Sequence, residues 1–117
     1  MGLTCVHAIV YGPSGASANV ELLVDSGAKY SVLPHDVWTA IGLEPKRTLD
    51  FMLADGTKIE RRVSECRFVL DGNDAHSPVV LGEPGDAALL GTVTLEVFGL
   101  VLNPFDRTLR PARMLMA

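Results

Sequence analysis

Glycine and proline interrupt this chain so often that long helices are excluded. The 117 residues include 11 Gly and 7 Pro. Turn-forming residues recur about every eight to twelve positions, with short apolar runs between them. Short strands at this spacing are typical of an all-β sandwich or barrel. We therefore predict a mainly β, closed barrel-like fold with one short helix, in a single domain over residues 1–117.

The predicted strands are the apolar runs between turn signals. They cover residues 4–11, 19–24, 30–33, 49–53, 57–60, 66–70, 78–81 and 100–102. Between two of these runs, Asp55-Gly56 is a dipeptide that strongly favours a hairpin turn. Pro34 favours the start of the helix and Gly42 its end, with Trp38 on the apolar face. Residues 92–97 alternate Thr-Val-Thr-Leu-Glu-Val, a pattern that locally predicts a strand.

Charge and hydropathy exclude two classes of partner. Lys and Arg number 10 against 14 Asp and Glu, and the largest basic cluster is the pair Arg61-Arg62, so we expect no nucleic-acid binding. We predict that this pair is solvated at a hairpin edge. The longest apolar runs are far shorter than the roughly 20 residues of a membrane span, so no membrane partner is expected. Residues 1–10 lack the basic start and apolar core of a secretory signal, which favours a cytoplasmic location.

The sequence offers no spacing typical of a metal site. The two cysteines and three histidines are scattered singly, at Cys5, Cys66, His7, His35 and His76. Metal ligands usually occur in tight, recurring spacings, and two cysteines make no disulfide framework. We therefore predict no metal or organic cofactor. Cys5 and His7 fall in a predicted strand, and His76 is predicted to lie in a turn.

The segment most informative about function is residues 20–28, Val-Glu-Leu-Leu-Val-Asp-Ser-Gly-Ala. Asp25 follows an apolar strand, so its carboxylate is expected beside buried surface. Gly27 allows a close backbone approach, and its N–H can donate to that carboxylate. The alternative is an ordinary turn, because an Asp-[Ser/Thr]-Gly triplet arises by chance in roughly one chain in twenty of this length.

The surroundings of this triplet resemble the active-site loop of the retropepsin-like aspartic proteases, the single-domain, dimeric relatives of pepsin. Leu-Leu-Val-Asp-Ser-Gly-Ala is followed by Ser-Val-Leu-Pro at residues 31–34. Asp55-Gly56 then matches the flap tip, Ala-Leu-Leu-Gly at residues 88–91 matches the apolar-apolar-Gly signature, and a terminal β-segment ends the chain. The resemblance therefore covers nearly the whole chain in order.

The resemblance implies a role for each part of the site. Asp25 from each of two chains would form the catalytic pair, Ser26 would hydrogen-bond across the dimer, and the Gly27 carbonyl would bind the substrate backbone. Ala28 would complete the loop. A mobile flap would have its tip at Ala54, Asp55 and Gly56. Support beneath the loop would come from Leu89, Leu90 and Gly91.

The chain departs from the family pattern at three points. The family has a short helix after Gly91, whereas the local pattern of residues 92–97 favours a strand, and both possibilities stay open. Thr92 replaces the charged residue that often follows this Gly. Lys29 stands where relatives carry a polar or acidic residue, and we expect it to edge the substrate groove.

Chain length supports a homodimer if the chain is catalytic. An aspartic protease needs two carboxylates, one as base toward water and one as acid toward the amide. The sequence has one Asp-Ser-Gly, so two chains would have to pair isologously and cleave a peptide or protein substrate. The apolar tail at residues 114–116 would then be buried against the second subunit or be disordered. The alternative function is a non-catalytic dimeric peptide-binding or scaffold domain that retains this fold.

Overall fold

The computed structural model describes residues 4–103 and 105–112, and the predicted tail at residues 114–116 lies outside them. The described residues form nine strands and two short helices. In chain order these are β1 (Cys5–Tyr11), β2 (Ser17–Val24), β3 (Ser31–Leu33), α1 (His35–Ala40), β4 (Arg47–Met52), β5 (Lys58–Leu70), β6 (Asn73–Leu81), β7 (Leu89–Leu90), α2 (Thr92–Val97), β8 (Leu100–Leu102) and β9 (Leu109–Pro111). The prediction of a mainly β fold is confirmed.

Seven strands form one sheet in the order β1-β2-β7-β3-β6-β5-β4, and β1 also pairs with β5. The short strand β7 is parallel to β2 and antiparallel to β3. It therefore holds together the two strands on either side of the loop that contains Asp25. Strands β8 and β9 form a separate two-stranded sheet.

The hydrophobic core is formed by alternate residues of the strands, which are buried as the two-residue strand period requires. Residues with less than 2% exposure include Leu22 on β2, Phe68 on β5 and Leu90 on β7. Helix α1 contributes Trp38, as predicted, and the Trp38 indole Nε1–H donates to the Gly82 carbonyl at 2.7 Å. The Cα radius of gyration, 14.0 Å, is close to the value of about 13 Å expected for a compact domain of this size.

Several local predictions are corrected by tertiary pairing. The prediction of one helix is wrong, because residues 92–97 form the second helix, α2. The predicted strands 57–60 and 66–70 are parts of the single 13-residue strand β5, whose neighbours change from β4 to β6 and β1 along its length. His76 lies within β6 rather than in a turn. Strand β8 matches the prediction in extent, but its residues are half-buried or exposed.

None of the helices in the described part of the chain is long and apolar enough to cross a membrane.

Candidate active site

Asp25 follows directly on β2 and is half-buried. Its backbone N–H donates to the Leu90 carbonyl of β7 at 3.1 Å, which continues the parallel β2–β7 pairing by one residue. The Gly27 N–H donates to Asp25 Oδ1 at 2.9 Å, and the Ala28 N–H donates to the Asp25 carbonyl at 3.1 Å. The carboxylate is thus fixed by the backbone of its own loop. Ser26, between them, is exposed.

Helix α2 braces this loop from the other side. Its first two N–H groups, of Thr92 and Val93, donate to the carbonyls of Ala28 and Lys29, each at 2.9 Å. These N–H groups have no partner within the helix, so the loop supplies the acceptors. The contact is close, because a Cβ on Gly91 would lie 2.5 Å from the carbonyl carbon of Tyr30.

A chain of buried hydroxyls lies beneath the same loop, and sequence reasoning missed it. The Gly91 N–H donates to Ser31 Oγ at 3.0 Å, Ser31 Oγ lies 2.6 Å from Thr94 Oγ1, and Thr94 Oγ1 lies 2.8 Å from Ser77 Oγ. The Ser77 hydroxyl donates to the Pro78 carbonyl at 3.2 Å. A carbonyl only accepts and each hydroxyl has one proton. With the Ser77 proton on the Pro78 carbonyl, Thr94 donates to Ser77 and Ser31 donates to Thr94. Residues 25–31 and 89–94 together form one border of a groove, and we call them the groove floor.

A groove of about 590 Å³ opens above Asp25. Its lining from the groove floor is Asp25, Gly27, Ala28, Lys29, Tyr30 and Leu89. The strands contribute mainly apolar side chains: Val32, Phe51, Met52, Ile59 and Val80. Leu90 and Gly91 also belong to the groove floor, but they are buried and do not line the groove. The size and apolar lining are typical of a ligand site.

The β4–β5 hairpin lies at another side of this groove, and the Asp55-Gly56 turn is confirmed. The hairpin tip, residues 53–57, is exposed, and Leu53 and Ala54 line the groove whereas Asp55 and Gly56 are outside its lining. The Gly56 N–H donates to the Leu53 carbonyl at 2.9 Å, and the Thr57 N–H donates to Asp55 Oδ1 at 2.9 Å. Hydrogen bonding by Thr57 lowers the pKa of the Asp55 carboxyl.

The base of the hairpin contacts the groove floor through aromatic rings. Phe51 of β4 and Tyr30 of the groove floor pack edge to face, with ring centroids 5.9 Å apart. This geometry is the favoured one for aromatic pairs. The hairpin is therefore anchored at its base, and its tip is held by its own turn.

An Arg–Asp pair also lines the groove, and the prediction that Arg61 is solvated is wrong. Arg61 of β5 lies against Asp86 and Glu83, and its side chain is 17% exposed. We call Arg61, Glu83 and Asp86 the charged wall. Arg62 is exposed, and its guanidinium lies 5.5 Å from the centre of the Trp38 ring. The contact between Arg61 and Asp86 joins residues 25 positions apart, so no local pattern in the sequence indicates it.

Within residues 4–103 and 105–112, no three His, Cys, Asp or Glu side chains are grouped as a metal ion would require. Burial raises the pKa of the Cys66 thiol to about 12. That thiol is therefore protonated at neutral pH and is a poor nucleophile or metal ligand.

The comparisons with known proteins agree with this fold. The solution structure of the Simian Foamy Virus (mac) protease is similar, with 18% sequence identity, a TM-score of 0.56, and coverage of 80% of this chain and 92% of that chain. A comparison with curated proteins found no match. A family model described as "gag-polyprotein putative aspartyl protease" matches residues 15–97, which include β2, the Asp25 loop, the hairpin and all of α2. The chain therefore belongs to this retroviral-type aspartyl protease family.

Proposed function

We propose that this protein is an aspartic endopeptidase that is active as a homodimer. The observation that carries the proposal is the position of Asp25: its carboxylate accepts the Gly27 N–H at 2.9 Å in a loop that opens into the groove. Membership of an aspartyl protease family supports peptidase activity. A carboxylate that is oriented by a backbone N–H and lines a mainly apolar groove is suited to general acid–base chemistry, for which geometry is the first requirement.

The proposed reaction uses Asp25 from both chains. Two close carboxylates share one proton, so that one is charged and the other neutral. The charged one takes a proton from a water molecule, which attacks the carbonyl carbon of the scissile amide. The neutral one gives its proton to the carbonyl oxygen, which yields a gem-diol. As the diol collapses, the Asp25 that took the water proton gives it to the amide nitrogen, one diol hydroxyl returns its proton to the other Asp25, and the C–N bond breaks to release an acid and an amine. One Asp-Ser-Gly per chain supports the need for a partner.

Exposed apolar side chains support self-association. Val97, Val101 and Phe105 are 44%, 49% and 95% exposed. These three residues lie on α2, on β8 and in the segment between β8 and β9, and burial of large apolar side chains is a main driving force for association. In the proposed dimer, Ser26 hydrogen-bonds across the two-fold axis. The pairing of β1 with both β2 and β5 supports the closed barrel predicted from the sequence.

The groove would hold the substrate as an extended peptide. Backbone groups of the hairpin tip, residues 53–57, and the Gly27 carbonyl would bind the peptide main chain as an added strand. Apolar lining residues such as Val32, Ile59 and Val80 would contact its side chains. No metal or organic cofactor takes part in the proposed reaction, and a cytoplasmic location remains part of the proposal.

The competing proposal is a non-catalytic dimeric peptide-binding or scaffold domain. Binding alone requires the groove but does not require a carboxylate at residue 25. A statine-type inhibitor separates the two proposals, because its hydroxyl replaces the attacking water between two carboxylates. Binding at one inhibitor per two chains supports the enzyme, and binding that is indifferent to the residue at position 25 supports the scaffold.

The decisive variant is Asp25→Asn. It keeps the shape of the side chain but removes the base and the shared proton, so we expect peptidase activity to fall at least about 100-fold. The mass measured by sedimentation should remain that of a dimer. Asp36→Asn, on an exposed position of α1, is the matched control and should keep full activity. Full activity in Asp25→Asn would rule out the aspartic mechanism.

A further inference from the structure

The charged wall is built around a two-point contact between Arg61 and Asp86. Arg61 Nε donates to Asp86 Oδ2 at 2.7 Å, and Arg61 Nη2 donates to Asp86 Oδ1 at 3.0 Å. Asp86 Oδ2 also accepts the Glu83 N–H at 2.9 Å, which closes the turn between β6 and β7. The pair therefore fixes that turn against β5, the strand that leads away from the hairpin tip.

Arg61 has little capacity left for another ligand. Besides its two bonds to Asp86, Nη1 lies 2.9 Å from Glu83 Oε2 and donates to the Glu60 carbonyl at 3.0 Å. A guanidinium has five N–H groups, so most of its donors are already in use. Hydrogen bonding to Asp86 raises the pKa of Arg61, and the same contact lowers the pKa of Asp86. Both groups are therefore charged at neutral and mildly acidic pH.

The pair is partly removed from water and lies within the groove. The side chains of Arg61 and Asp86 are 17% and 27% exposed, whereas Glu83 is 58% exposed. Arg61 and Asp86 line the groove together with Asp25 and apolar residues such as Ile59 and Val80. An uncompensated charge at such a position would attract an opposite charge from the ligand, because solvent screens it less than at an exposed site.

We propose that Arg61 and Asp86 determine specificity by neutralising each other, so that this wall of the groove excludes charged substrate side chains. This inference rests on the proposed peptidase function. A cationic substrate side chain would compete with Arg61 for Asp86, and an anionic one would compete with Asp86 for Arg61. Either exchange gives up a two-point contact for a one-point contact. A neutral side chain competes with neither Arg61 nor Asp86 and packs against the apolar lining.

The proposal predicts shifts of opposite sign when either partner is removed. Arg61→Met leaves the Asp86 carboxylate in the groove lining without its cation, so cationic side chains in the peptide should be favoured. Asp86→Asn leaves Arg61 paired only with the more exposed Glu83, so anionic side chains should be favoured more modestly. A loss of stability alone would weaken binding of all peptides and would not reverse the sign between the two variants.

The experiment measures dissociation constants for a set of statine-containing peptides with Leu, Glu or Arg at each position flanking the statine. The unaltered protein should bind the Leu peptides best at the position that contacts this wall. At that position, the affinity for the Arg peptide divided by the affinity for the Glu peptide should rise about tenfold in Arg61→Met and fall several-fold in Asp86→Asn. If Arg61→Met fails to fold, the near-isosteric Asp86→Asn still tests the sign of the shift.

The chain contains a matched control on the same strand. Arg67 of β5 forms a similar two-point contact with Asp74: Nε donates to Oδ1 at 2.9 Å and Nη2 donates to Oδ2. Arg67 does not line the groove. Arg67→Met and Asp74→Asn should leave the Arg-to-Glu ratio unchanged. Shifts of the same sign in Arg61→Met and Asp86→Asn, or equal shifts in the Arg67 control, would overturn the inference. If the unaltered protein neither binds nor cleaves any peptide of the set, the proposed function itself fails, and the inference fails with it.

Discussion

The groove floor and the hairpin tip border the same groove, but different kinds of contact hold them in place. The groove floor is fixed by contacts distant in sequence: Leu90 accepts from Asp25, and α2 donates to the carbonyls of Ala28 and Lys29. The hairpin tip is fixed by bonds between residues no more than four apart. The Asp25 carboxylate, which we propose is catalytic, therefore lies on the part that is bound from several sides, and the proposed flap is bound only by its own turn.

Gly91 of the groove floor and Gly56 of the hairpin tip differ in the same way. Gly91 has an ordinary φ of −93°, but there is no space for a side chain. Gly56 has a φ of +87°, and a Cβ there would meet nothing within 4 Å. The first glycine is required by packing and the second by backbone conformation. Substitutions at the two positions should thus have different consequences for stability and for activity.

The largest effect on stability is expected for Gly91→Ala. The added Cβ would lie 2.5 Å from backbone carbon of Tyr30, so the groove floor and α2 must separate. Overpacking of this kind costs up to about 3 kcal/mol. Chemical denaturation should show the loss of unfolding free energy, and activity should fall with it because Asp25 moves. The same substitution at the tip, Gly56→Ala, should cost less, and equal costs at the two sites would contradict the proposed difference between them.

A smaller effect is expected for Thr94→Val, which removes the central hydroxyl beneath the groove floor. Ser31 and Ser77 then each lose a hydrogen-bond partner, with both side chains almost fully buried. An unsatisfied buried group costs about 1–3 kcal/mol. Thr94→Ser keeps the hydroxyl and should restore most of the loss in thermal unfolding. If Thr94→Val were as stable as the unaltered protein, the hydroxyl chain would not be holding the floor.

At the hairpin tip, Gly56→Val should lower turnover more than stability. A β-branched residue at positive φ costs about 1–3 kcal/mol of local strain, but the tip can relieve this strain by unfolding locally because it packs against little else. Turnover should fall instead, because the bulkier residue hinders the predicted movement of the flap over the substrate. Gly56→Asn, which tolerates left-handed conformation, is the control and should retain most turnover. Hydrogen exchange should show the tip exchanging rapidly without ligand and slowly with a statine inhibitor. A tip that is already protected in the free protein would contradict its role as a flap.

This contrast also explains which features the sequence predicts. The hairpin tip depends on Asp55-Gly56, whose turn preference is local, and it was predicted correctly. For helix α2, the Thr-Val alternation of residues 92–97 favours a strand, and only the resemblance to the protease family implies a helix after Gly91. Helix formation there depends on the carbonyls of Ala28 and Lys29 and on the buried partners of Thr94, which are more than sixty residues away in sequence or on another strand.

The candidate site follows the same division. The Asp25–Gly27 contact spans two residues, so the motif alone indicates it. The partner of Arg61 is 25 residues away, and the partner of Ser31 is 63 residues away. Local patterns therefore indicate the loop that contains the carboxylate, but they do not indicate the residues that support the loop or the charged wall in the same groove.

The smallest effect is expected for Lys29→Ala, at an exposed position of the groove floor. Lys29 is exposed and lines the groove, and its backbone carbonyl, which accepts from Val93, is unaffected by the substitution. Because solvent screens an exposed charge, we expect a preference for acidic flanking residues that falls by at most about fivefold in Lys29→Ala and weakens with added salt. Lys58→Ala, an exposed lysine on β5 outside the groove lining, is the matched control. The dependence of rate on pH should be bell-shaped, highest on the acid side of neutral, and the same in both variants, because in the proposed dimer the two Asp25 carboxyls, and not Lys29, share the proton. An unchanged preference in Lys29→Ala would exclude this residue from specificity, and a rate that rises steadily to about pH 9 would contradict a pair of carboxyls that share a proton.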